Sequence, residues 1–159
     1  MNISNVAKLI VAIVICQLAG AVGSIFTTPS IPIWYASLQK PIFTPPNWLF
    51  APVWITLFTL MGISAYLIWR KSLKNRHVKT ALVIFDIQLI LNALWSYLFF
   101  GLQSPFYGFI GIVILWIAIA LTILKFYRIF RAAGLILIPY IVWVSIALSL
   151  NYYVWMFNP

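Results

Sequence analysis

The chain has 159 residues, 65% of them hydrophobic and 7% charged, with a net charge of +9 and a mean hydropathy of +1.08. Such a composition excludes an ordinary soluble globular domain. It also excludes a membrane β-barrel, whose strands alternate polar and apolar residues with period two, because the apolar runs here do not alternate.

Five runs approach the ~20 residues that cross a hydrocarbon layer of ~30 Å. They cover 6–26, 49–69, 80–100, 105–126 and 134–155, and predict an all-α bundle of five transmembrane helices in a single domain, 1–159. The first run starts near the beginning of the chain, as a signal peptide does. Its length and its "QLAGAVGS" ending, with no A-x-A site, favour a retained helix. Ala19 and Gly23, then Gly20 and Ser24, stand four apart, so another helix backbone can approach closely, from this chain or from a second copy. Cys16 is the single cysteine, which rules out an internal disulfide.

Residues 27–48 form the long connection between runs one and two, well beyond the ~2 to 8 residues usual between bundle helices. It carries Pro29, Pro32, Pro41, Pro45 and Pro46 together with Trp34, Tyr35, Phe43 and Trp48, more apolar surface than a disordered segment holds. Two readings stand: a folded cap over the bundle mouth, or a belt of aromatics at headgroup level. "PIWYASLQKP" suits a short amphipathic helix, and Pro45-Pro46 suits an extended backbone.

Run two presents Trp54, Phe58 and Met61 at helical spacing. In run three Gln88, Asn92, Trp95 and Phe99 share one face, which should point into the bundle because amides are costly against lipid. Asp86 is the only carboxylate, and an acid within a span is a functional candidate. At 100° per residue it lies about 240° from Asn92, off the amide face, so proton or cation coupling competes with a local ion pair or a neutral buried acid. "GLQS" between runs three and four forces a helical hairpin, and run five adds Trp143, Ala147 and Asn151. Stripes like these are usually packing, but three of them converging would make an aromatic slot with a few amides, the makeup of a ligand pocket.

Five alternating spans place Lys8, the basic residues of 70–79, and Lys125, Arg128 and Arg131 on one side, with Lys40 alone on the other. This positive-inside bias predicts an integral protein of the cytoplasmic membrane, N-terminus inside and C-terminus outside. It accounts for the charge without nucleic acid; anionic lipid is the better partner for the basic loops. His77 is the lone histidine, and a single carboxylate cannot form an acid–base pair. No metal set, phosphate loop or activated nucleophile is present in the sequence, which leaves binding, transport, or chemistry supplied by a ligand.

Read together, "WYASLQKPIFTPPNWLFAPVWITLFTLMG", "QLILNALWSYLFFGLQSP" and "PYIVWVSIALSLNYYVW" resemble, in order and spacing, the signature regions of the translocator protein family, also called tryptophan-rich sensory proteins or peripheral-type benzodiazepine receptors. The resemblance runs from about Gly20 to Trp155. It implies a five-helix bundle, commonly a homodimer, that binds porphyrins and hydrophobic drug-like ligands under the first loop and requires no cofactor. The family's pocket residues fall on Trp54, Asn92, Trp95 and Trp143, with Ala147 and Leu150 as apolar wall, Phe99 beside them, and "KPIFTPPNW" in the lid. Lys40 is then either a propionate partner or a solvated interfacial lysine. The implied function is tetrapyrrole transport or stress-linked regulation. The alternatives are light- or oxygen-dependent porphyrin breakdown, with the indole of Trp54 or Trp143 as electron donor, and a purely structural subunit. Two departures stand out. Met156 replaces the basic residue that ends the animal members' sterol pattern, which counts against sterol binding, and Gly111 stands where many members carry an acid.

Overall fold

The computed structural model describes residues 3–159, and they are helical without a strand. The helices are α1 (Ile3–Ser30), α2 (Asn47–Trp69), α3 (Arg76–Ser96), α4 (Pro105–Ile129), α5 (Arg131–Ile136) and α6 (Ile138–Phe157), with π-helical turns at Ile31–Tyr35 and Tyr97–Gly101. Five stretches are long and apolar enough to span a membrane, the last made of α5 and α6 together, so the protein is an integral multi-pass membrane protein.

Local chemistry sets the ends. The Asn75 side chain accepts from the His77 N–H to cap α3, Ser104 caps α4 by accepting from Tyr107, and Pro105 occupies its first turn. The tight α3–α4 hairpin reverses at Gln103, which takes a positive φ of 51°. The fifth run is not one continuous helix. Pro139 cannot donate to a carbonyl one turn back, and the chain breaks at Leu137, whose oxygen receives the Tyr140 and Ile141 N–H groups instead.

The connection after the first run is much shorter than 27–48. Helix α1 continues through Pro29, and the π turn at Ile31–Tyr35 carries the helix past Pro32; only residues 38–46 lie outside helix. A π turn re-registers the backbone where proline removes a donor, so neither proline ends the helix. Thr27 turns its hydroxyl back onto the Gly23 carbonyl at 3.1 Å, which hides its polarity within the helix.

Helix α3 packs on both α1 and α4, and α4 on α6. The glycines of α1 meet partners in this same chain: a Cβ on Gly20 would stand 2.6 Å from the Phe58 ring, and one on Gly23 2.9 Å from Ser96 Oγ. Lys8 stands over the ring of Trp69 and Lys71 over that of Phe130, which gathers the start of α1, the α2–α3 turn and the α4–α5 junction at one end of the bundle. Lys40 lies at the other end, where Gln39 pairs with Asn158.

Candidate functional site

A polar ladder joins α3 to α6. Asn92 Nδ2 donates to the Tyr140 hydroxyl at 2.8 Å, which donates to Gln88 Oε1 at 2.8 Å. Trp95 Nε1 donates to Asn151 Oδ1 at 3.1 Å, and Asn151 returns its amide to the Ala147 carbonyl at 2.9 Å. All of these side chains are buried, so the amide face of α3 points inward, satisfied by partners rather than by lipid.

Next to the ladder is a cavity of about 400 Å³ among α1, α2 and α3. Trp54 and Trp95 form one wall, their rings 6.2 Å apart and tilted by 33°. Asn92 lines the cavity too, with Phe50, Phe58 and Phe100 adding apolar surface and Ser96 and Gln17 adding polar groups. Gln17 ties the floor together by donating to the Ile55 carbonyl and to Thr59 Oγ1, both at 3.0 Å. Beyond that tie the lining residues Ala21, Ser24 and Thr28 of α1 and Ala51 and Ile55 of α2 are exposed, so the cavity opens through the α1–α2 seam on the outside of the bundle.

The remaining expected pocket residues do not line this cavity. Trp54 touches the Tyr140 ring and Trp95 bonds Asn151, so the two indoles partition the cavity from α6. Behind that partition Ala147 and Leu150 are buried, and Phe99 stacks on Trp95 at 6.0 Å. Trp143 lies against Phe50 at 5.8 Å, and its Nε1 is a buried donor without a partner among the described residues. Gly111 packs against Leu98 of the π-helical turn that follows α3; a Cβ there would approach it to 2.9 Å, so an acidic side chain does not fit without repacking.

The loop divides into two parts. Trp34 sits edge-on to Phe99 at 5.3 Å, and Tyr35 is buried and lines the cavity, so the end of the first span roofs the site. Lys40 donates to the carbonyls of Tyr35 at 2.6 Å and Leu38 at 3.0 Å, capping that helix end rather than standing free in solvent. Partial burial pulls its pKa below the ordinary lysine value. Pro41 accepts twice from Thr44 in a tight turn, and Pro46 is extended before α2, with Pro45 preceding it. Phe43 leans on Tyr153 while half exposed, and Ile42 and Trp48 point outward in the manner of an interfacial belt.

Sequence reasoning missed the α1 wall. Its signal is the series Gln17, Gly20, Ser24 and Thr27, polar or small residues at three- and four-residue steps in an otherwise apolar helix.

The fold and site define a class: an α-helical, multi-pass membrane protein with an aromatic, amide-bearing cavity beneath a folded connection. Comparison with known proteins narrows it. Residues 12–156 match the TspO/MBR family, and the chain belongs to that family. It is 44% identical over 155 residues to the tryptophan-rich protein TspO of Archaeoglobus fulgidus, covering 97% of this chain and 99% of that one. It is 39% identical to protein CrtK of Rhodobacter capsulatus, over 92% of this chain and 89% of the relative. To the translocator protein of Homo sapiens it is 37% identical, over 86% and 82% of the two chains.

Proposed function

We propose that the protein is a membrane receptor or transporter for a flat tetrapyrrole such as protoporphyrin, and that the α1–α2–α3 cavity is where the macrocycle binds. The carrying observation is the pair of indoles, Trp54 and Trp95, standing as one wall of a cavity of about 400 Å³, within the range of small-molecule pockets. Stacking on indole faces and burial of a hydrophobic ring offset the cost of ordering ligand and roof. Asn92, Ser96 and Gln17 supply orienting polar groups, and Thr27, Thr28 and Asn47 line the remainder, where propionates need hydrogen bonds. Lys40 has no part in this reading, because its ammonium is held by backbone carbonyls.

The opening between α1 and α2 supports entry from the bilayer, where hydrophobic tetrapyrroles partition. The grouping of every lysine and arginine except Lys40 supports a cytoplasmic-membrane orientation with the N-terminus inside. A homodimer belongs to the same reading, and light scattering of the solubilised protein decides it.

Protoporphyrin titration followed by tryptophan quenching tests the site. Trp54→Ala weakens binding about tenfold or more, whereas Trp116→Ala, whose indole bonds Ser145 between α4 and α6, leaves affinity unchanged. Equal losses defeat the assignment. Illuminating the complex separates receptor from enzyme: a stable pigment spectrum supports binding, and bleaching that needs Trp54 or Trp143 supports degradation.

A further inference from the structure

A second, smaller crevice lies among α1, α2 and α3, with a volume of about 160 Å³. Ala12 and Cys16 of α1, Ala65 and Trp69 of α2, and Phe85 and Asp86 of α3 bound it. None of these residues lines the porphyrin cavity.

Asp86 is the only acid in the sequence, and among the described residues its carboxylate has no ion pair or hydrogen bond. It stands ten residues into α3 from Arg76, about 15 Å along the axis, at a depth where water does not satisfy it freely. Its side chain is exposed at the crevice mouth while Cys16 and Phe85 are buried within. A lone carboxylate at the mouth of an aromatic, hydrocarbon-walled crevice is complementary to an ammonium group joined to a small apolar body. The rings suit a cation as well: Trp69 already carries the Lys8 ammonium 5.8 Å from its centroid. Size limits the body, since a cavity of about 150 Å³ holds a benzene ring. Divalent metal ions do not fit, because one carboxylate offers too few oxygen ligands.

We propose that this crevice is a second ligand site, selective for lipophilic primary ammonium compounds with one benzene-sized group, which reach it from the bilayer. The site neither uses nor requires the porphyrin reading.

The test is calorimetric titration of the protein in zwitterionic nanodiscs, with empty nanodiscs subtracted, using 2-phenylethylamine and its neutral counterpart 2-phenylethanol. The amine is expected to bind about tenfold tighter than the alcohol, and Asp86→Asn to bring it down to the alcohol's level. Protoporphyrin quenching in Asp86→Asn should match the parent protein. Ala12→Leu, which narrows the crevice and keeps the carboxylate, should also weaken the amine. The inference is overturned if amine and alcohol bind the parent protein alike, if the amine does not bind it, if either variant retains full amine affinity, or if protoporphyrin displaces the amine. The comparison of the two probes needs only the parent protein, so a variant that fails to fold does not leave the question open.

Discussion

The indole of Trp95 faces the cavity with its ring and reaches α6 with its nitrogen, donating to Asn151 Oδ1 at 3.1 Å. That hydrogen bond, with the stacked Phe99 ring, holds the plane of a cavity wall from behind, since no α6 residue lines the cavity itself. Replacing Asn151 with leucine leaves a buried indole N–H unpaired, and interhelical bonds of this kind contribute about 1 kcal/mol in membranes. Asn151→Leu is expected to lower the melting temperature modestly and to weaken protoporphyrin several-fold, although the residue does not line the cavity. Unchanged affinity alongside a lowered melting temperature would show that the bond is structural only.

Tyr140 serves two amides at once, accepting from Asn92 and donating to Gln88. Tyr140→Phe removes both bonds and nothing else of size, so about 1 to 2 kcal/mol of stability should be lost. Gln88→Leu alone breaks one of the two. Because the groups share a partner, the double variant should be less destabilised than the sum of the single ones. Unfolding titrations in mixed micelles measure this directly; strict additivity would mean that the ladder does not act as a unit.

Gly20 leaves room for the Phe58 ring, and both residues line the cavity. A side chain at position 20 must push that ring away or fill the space itself. Gly20→Val is thus expected to reduce protoporphyrin affinity about tenfold with little loss of helix content, as read by quenching and far-ultraviolet circular dichroism. Full affinity in that variant would mean that the ligand binds elsewhere.

The five spans were legible because hydrocarbon length and apolar content determine them almost alone. The inward face of α3 was legible for a related reason: amides at helical spacing cannot all face lipid, and Gln88, Asn92 and Trp95 are indeed buried. What periodicity does not encode is the partner. Nothing in the spacing of α3 names Tyr140, since that pairing depends on how α6 is rotated. Pro29 and Pro32 read as helix breakers because they are in an isolated helix, yet here the π turn accommodates them and the connection shrinks accordingly. Trp143 and Ala147 lie on an inward stripe as expected, but the indoles of Trp54 and Trp95 stand between α6 and the open space. Which side of a tryptophan is empty is decided by packing, and no single stripe carries that information.

The end of α6 and the Asn158 that follows it clasp the connection. Asn158 accepts from the Gln39 N–H at 3.1 Å and donates to the Gln39 carbonyl at 3.0 Å, while Tyr153 supports Phe43. Those contacts hold the non-helical residues 38–46 against the bundle, and the same backbone continues into the Tyr35 roof. Asn158→Ala removes both hydrogen bonds, so limited proteolysis within 38–46 should accelerate several-fold, because cleavage tracks the population of the opened loop. Protoporphyrin stacked beneath Tyr35 should slow cleavage in the parent protein and, to a lesser degree, in the variant. Mass mapping of the fragments gives both rates. Cleavage in the parent protein that ignores the ligand would reduce the connection to a passive interfacial belt, a role that the outward Ile42 and Trp48 already fill.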